Sequence, residues 1–278
     1  MKLKMKLMAA AIALVASAGA NAAMTNFASG DSSLAFIALD STGSPISMMM
    51  DLDYSLNSFL PVAMSAPGIK IEWNFNANTL KVNNAVQGAA QTNWSGAMST
   101  FAGVAQAADT KWAVIGGDSS TTGIPGEVRY LTTSNSTLTT LQSQTKANLA
   151  GFSGVDSLVN ANNLLQTTSN GSTASAGAAY VGDGAAFGTP GKWENKFAGV
   201  AWANEGVSNH NAFWMLDTNN GTSATKALVT GYGGDFTYAA GVLTYQTAPI
   251  PEPETYALLL AGLGMLGFMG RRRLNNRA

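Results

Sequence analysis

Phe236-Thr237-Tyr238-Ala239-Ala240-Gly241-Val242-Leu243-Thr244-Tyr245 is the stretch that decides the fold class. Two runs of aromatic, aliphatic and β-branched residues flank an Ala-Gly break, the pattern of antiparallel strands joined by a tight turn. Just upstream, Ala212 to Leu216 and Ala227 to Thr230 read as two more strands, with Asn220-Gly221 between them as a stronger type I′ turn signal. The carboxyl third is therefore expected to be an antiparallel meander. Further back, Ser33 to Leu39, Ile46 to Leu52, Ile69 to Phe75, Trp112 to Ile115 and Glu127 to Thr132 repeat the strand signature, most of them bounded by Gly, Pro, Asn or Asp.

Two helical patterns interrupt these strands. Trp94, Met98, Phe101 and Ala105 recur at helical spacing behind Thr92 or Ser95, giving one apolar stripe. Leu138, Leu141, Thr145 and Leu149 form a second face, and Val155, Leu158, Val159, Asn162 and Leu165 a third, with Gly151 and Gly154 separating the two helices. Residues 170–191 are rich in Gly, Ala, Ser and Thr and read as a long loop or a glycine-interrupted strand pair. The expected body is α+β and β-rich, an antiparallel sheet or a β-sandwich with helical insertions. The start of it, Ser33 to Asp53, is a strand, an Asp40-Ser41-Thr42-Gly43 turn and a second strand ending in Asp-Leu-Asp.

Composition agrees with this and excludes several functions. Charged residues are only 11% of 278, whereas Ser, Thr, Asn and Gly together make up 103 residues, a stock suited to turns and neutral hydrated surfaces. Residues 23–250 hold 8 basic and 14 acidic residues, which offers no footprint for nucleic acid. There is no cysteine, so disulfides, thiolate metal sites and cysteine nucleophiles are excluded.

The two ends read as targeting segments. Lys2, Lys4 and Lys6 precede an apolar run from Leu7 to Ala18, and Ala20-Asn21-Ala22 supplies the small residues that signal peptidase reads, so residues 1–22 are expected to be a signal peptide cleaved after Ala22, with Ala23 as the neighbouring choice. The exported body then spans 23–248. At the other end Pro249-Ile250-Pro251-Glu252-Pro253 holds the chain extended ahead of an apolar run from Tyr256 to Met269, and Arg271, Arg272 and Arg273 follow. As a helix the run would be about 21 Å long, short of the roughly 30 Å of a hydrocarbon core, so it is expected to enter the membrane only transiently, with the arginines kept cytoplasmic.

Those carboxyl-terminal residues resemble the PEP-CTERM sorting signal of Gram-negative bacteria, which consists of a Pro-Glu-Pro motif, a short membrane helix and a terminal basic cluster. The resemblance covers residues 249–278. It implies recognition by a membrane-embedded exosortase at Pro251, Glu252 and Pro253, retention through Arg271, Arg272 and Arg273 until processing, and delivery to the cell surface or the extracellular matrix. It also implies an association with exopolysaccharide and biofilm formation. The Ser33 to Asp53 hairpin bears a looser likeness to amino-terminal hairpins of the same proteins, and no activity comes with it.

Catalytic chemistry finds little to stand on. His210 is the single histidine, between Asn209 and Asn211 with no triad spacing, and Gly151-Phe152-Ser153-Gly154-Val155 breaks the nucleophile-elbow pattern at its last position. Asp217-Thr218-Asn219-Asn220-Gly221-Thr222 begins like a calcium loop but reads better as a turn, and Gly182 to Gly188 misses the dinucleotide pattern by one residue. Two carboxylate pairs fit glycosidase chemistry on paper: Asp51 with Asp53 on one strand face, and Glu194 with Glu205 near Trp193, Trp202 and Trp214. The six tryptophans suit either sugar platforms or a core, and the core is expected for Trp73, Trp94 and Trp112. The expectation is a structural or adhesive, non-enzymatic surface protein with no catalytic residue, cofactor or resident metal. Its partners are signal peptidase, exosortase, the membrane and, as a candidate, exopolysaccharide. A carbohydrate-active enzyme or a lectin-like module is the alternative.

Overall fold

The computed structural model describes residues 23–65, 67–87, 93–118, 128–134, 138–146, 154–166, 170–181, 203–204, 210–218, 222, 224–247, 261–263 and 265–266. Among them twelve strands form one antiparallel sheet: β1 (Ser33–Asp40), β2 (Ile46–Ser55), β3 (Lys70–Asn74), β4 (Thr79–Val82), β5 (Ala85–Gln87), β6 (Lys111–Asp118), β7 (Arg129–Ser134), β8 (Gly171–Ala174), β9 (Ala203–Asn204), β10 (His210–Asp217), β11 (Leu228–Ala239) and β12 (Val242–Thr247). The spatial order is β5-β4-β3-β12-β11-β10-β7-β6-β1-β2-β8, with β9 against β6. The sheet is curved into a half-barrel, so of the two expected architectures it is the single sheet that forms.

Both faces of the central strands are covered. In β1, Leu34, Phe36 and Ala38 point into one core and Ala35 and Ile37 into the other, as the two-residue period of a strand requires. The first core holds most of the large aromatic residues. Phe36 meets Tyr238 at 4.7 Å and Phe75 at 5.1 Å between ring centroids, and Phe59 meets Tyr245 at 5.3 Å and Phe213 at 5.6 Å. Phe59 belongs to α1 (Leu56–Ser65), which packs on β1, β2, β6 and β11, and α2 (Ser95–Ala102) adds Met98 and Phe101. On the opposite face Leu141 of α3 (Leu138–Gln142) and Val155, Leu158 and Val159 of α4 (Gly154–Leu165) cover Ile37, Met49 and Ile115.

The Ala240-Gly241 turn forms as read: Ala239 pairs with Val242, and both turn residues have positive φ, +49° and +78°, as a type I′ turn demands. Other expectations need correction. The expected strands Ala227 to Thr230 and Phe236 to Tyr238 are not separate: β11 starts at Leu228 and runs through both, because Gly231 and Gly234 sit under the rings of Trp214 and Tyr245 instead of breaking the strand. Pairing of β10 with β11 ends at Asp217 and Leu228, so the connection is longer than a two-residue hairpin, and residues 219–221 lie outside the described residues. Thr145 forms a β-bridge with Lys226 instead of continuing a helix, while Leu138 and Leu165 are exposed. Helix α1 and strands β4, β5 and β9 have no counterpart among the expected elements, and β8 is a fragment of the expected glycine-interrupted pair. No helix among the described residues is long and apolar enough to cross a membrane, and of the expected sorting helix residues 261–263 and 265–266 are described, as helix.

Candidate functional site

Asp51 and Asp53 come together where β1 and β2 lose register. Ser33 pairs with Ser55 but Ala35 pairs with Asp51, so β2 carries extra residues there, and Asp53 takes a left-handed φ of +59°. Such a bulge re-aims side chains that strict alternation would separate. Asp51 accepts hydrogen bonds from Ser33 Oγ at 3.0 Å and from the Asp53 backbone N–H at 2.9 Å. Two buried indoles hold the same segment from the aromatic core: Trp94 Nε1 donates to the Asp51 carbonyl at 2.7 Å and Trp73 Nε1 to the Leu52 carbonyl at 2.9 Å.

Asn170, on the residue before β8, completes the cluster. Its Nδ2 donates to Asp53 Oδ1 at 2.9 Å, its carbonyl accepts the Asp51 N–H at 2.7 Å, and its own N–H donates to the Asn93 carbonyl at 3.0 Å. Asn170 is 1% exposed, and its Oδ1 has no hydrogen-bond partner among the described residues. Burial pushes Asp51 up to about 6 against the pull of its two donors, and burial together with the charge of Asp51 pushes Asp53 up to about 7. The ion pairs among the described residues join Glu72 to Lys70 and Lys81 and Asp118 to Arg129, and include neither aspartate.

This arrangement is unlike a glycosidase cleft. Asp51 is 6% exposed, and Trp73 and Trp94 lie beneath it wholly buried instead of lining an opening. A cavity of about 320 Å³ lies elsewhere, between α2 and the β11–β12 turn; Asn76, Met98, Phe101, Thr110 and Ala240 line it, and no carboxylate does. Of the described tryptophans, Trp73, Trp94 and Trp112 are core residues and Trp214 is half-buried. Glu194, Glu205, Trp193, Trp202 and the Gly182 to Gly188 run lie outside the described residues, as do Ala20 and Ala22. His210 opens β10, and Asp217 closes it opposite Arg129 and Leu228. The sequence singled out Asp51 and Asp53; it gave no sign of Asn170, which lies 117 residues from Asp53.

The chain leaves this body from the interior of the sheet. β12 lies between β3 and β11, and its last residue, Thr247, donates its N–H to the Ile69 carbonyl at 3.0 Å while its hydroxyl oxygen accepts the Ile69 N–H at 2.9 Å. Pro251, Glu252, Pro253, Arg271, Arg272 and Arg273 follow, outside the described residues. No curated protein and no solved structure matches the chain. A protein-family comparison matches residues 249–273 to the PEP-CTERM protein-sorting motif, confined to the segment beyond β12. The chain thus carries a PEP-CTERM sorting signal, the mark of an exported, exosortase-targeted protein of the cell surface or extracellular space.

Proposed function

We propose that the body is a structural or adhesive, non-enzymatic component of the cell surface or extracellular matrix, with exopolysaccharide as its candidate partner. The sorting motif at residues 249–273 carries this reading, because it implies export to the cell surface or extracellular space. Signal peptidase would cut after Ala22, the short apolar helix would hold the chain transiently in the inner membrane, and exosortase would act near Pro251-Glu252-Pro253. The fold supports a scaffold role: the described aromatic residues are largely consumed in packing, and the chain needs no disulfide to close its cores. A surface rich in hydroxyls and amides is hydrated and little affected by salt.

Sorting is tested by Pro251→Ala and Glu252→Ala. Each should leave a longer protein in the inner membrane, detectable by fractionation and intact mass; variants that mature and localise like the parent would reject exosortase recognition. For the body, mature protein recovered from cells is incubated with the producer's own exopolysaccharide. Binding without turnover agrees with the proposal, whereas cleavage would move the assignment to a carbohydrate-active enzyme.

A further inference from the structure

The Asp51–Asp53–Asn170 cluster is built from oxygen. Two carboxylates meet on one bulge without a cationic partner among the described residues, and a third oxygen, Asn170 Oδ1, is buried beside them and unbonded. Native proteins seldom leave a buried acceptor unmatched. The amide that carries it is held against Asp53 by its own Nδ2, and three backbone or side-chain bonds fix Asn170 between β2, β8 and the segment that opens α2. Both Asp51 oxygens and Asp53 Oδ1 already accept hydrogen bonds, so a proton donor or a cation would satisfy Asn170 Oδ1, and a positive ion would also relieve the repulsion between the carboxylates.

We propose that the carboxylates of Asp51 and Asp53 and the amide oxygen of Asn170 bind one divalent cation of the calcium class. The donors are hard oxygens with no imidazole or thiolate, which favours calcium over zinc or copper. Asp53, the less buried of the two acids, is the side from which an ion and its remaining waters enter. With only two charged ligands the affinity belongs on the order of 10⁻⁴ to 10⁻³ M, the range of extracellular modules. The cation ties the amino-terminal hairpin to β8 at the end of the sheet.

Terbium luminescence excited through tryptophan tests this on the full chain in detergent, since Trp94 Nε1 lies 2.7 Å from the Asp51 carbonyl oxygen. Tb³⁺ should luminesce, Ca²⁺ should displace it at millimolar concentration and raise the unfolding temperature, and Mg²⁺ should compete less well. Asp53→Asn should weaken Ca²⁺ at least about tenfold, and Asn170→Asp should strengthen it about tenfold while destabilising the protein in EDTA, because a charged ligand replaces a neutral one. The proposal is overturned if the parent shows neither luminescence nor a Ca²⁺-dependent shift, or if folded Asp53→Asn binds as the parent does. It also fails if Asn170→Asp loses stability without gaining affinity, the outcome for a site that holds only water. Should Asp53→Asn not fold, the parent titration and Asn170→Asp still decide.

Discussion

Asp40 and Asp53 sit on the same hairpin and have opposite electrostatics. Burial raises Asp40, but the Gln106 N–H at 2.8 Å, the Thr42 hydroxyl at 2.7 Å and the Thr42 N–H at 2.8 Å outweigh it, so its folded pKa is depressed. A depressed acid contributes stability above its unfolded pKa and loses it as pH falls through the folded one. Asp40→Asn should therefore destabilise at pH 7 and flatten the acid limb of a thermal-unfolding series. Asp51 and Asp53, raised to about 6 and about 7, act in the reverse sense: in the native state they hold protons that the unfolded chain has already released. With divalent ions chelated, stability should fall between about pH 4 and pH 7, by an amount on the order of a few kcal/mol for the pair. Asp53→Asn should shrink that fall; an unchanged pH profile would contradict it. Gly234 is constrained sterically, because a Cβ there would lie 2.5 Å from the Tyr245 ring, so Gly234→Ala should cost about 1–3 kcal/mol in denaturant unfolding.

At the level of elements, how much could be read depended on how local the signal was. β1, β3, β6 and β12 follow from runs of apolar and β-branched residues that name themselves. β11 does not, since its glycines are tolerated only because Trp214 and Tyr245 of neighbouring strands fill the space. α1 was obscured by Pro61, yet it carries a capping signal: Ser58 N–H donates to Ser55 Oγ and Ser55 N–H to Ser58 Oγ, at 3.2 and 2.8 Å. α2 has no cap of its own. Asn78, from the β3–β4 turn and with φ +53°, accepts the N–H groups of Trp94 and Ser95 at 2.7 and 2.8 Å, a partner no window around residue 95 could reveal. Asn78→Ala should cost about 1–2 kcal/mol through loss of this cap, and Phe59→Ala about 3–5 kcal/mol by emptying the centre of the aromatic core; chemical denaturation measures both. The candidate site follows the same rule: the two aspartates are legible as a pair, and their environment is supplied from distant sequence.

For the molecule as a whole, the position of β12 limits where processing can fall. Its ring-bearing residue Tyr245 is buried and Thr247 is bonded to Ile69, so trimming into the strand would open the sheet. Mature protein recovered from cells should end at or beyond Thr247 by intact mass; a shorter, folded product would show that the strand is dispensable. β12 is also the only link between the ribbon of β3, β4 and β5 and the rest of the sheet among the described pairings. Residues 70–87 must therefore wait for residues 242–247 before they gain a strand partner outside their own ribbon. If the chain is exported amino end first, it would remain unzipped along this seam until almost all of it had emerged, so a stalled intermediate would show its aromatic interior to proteases across the membrane while a finished one would not.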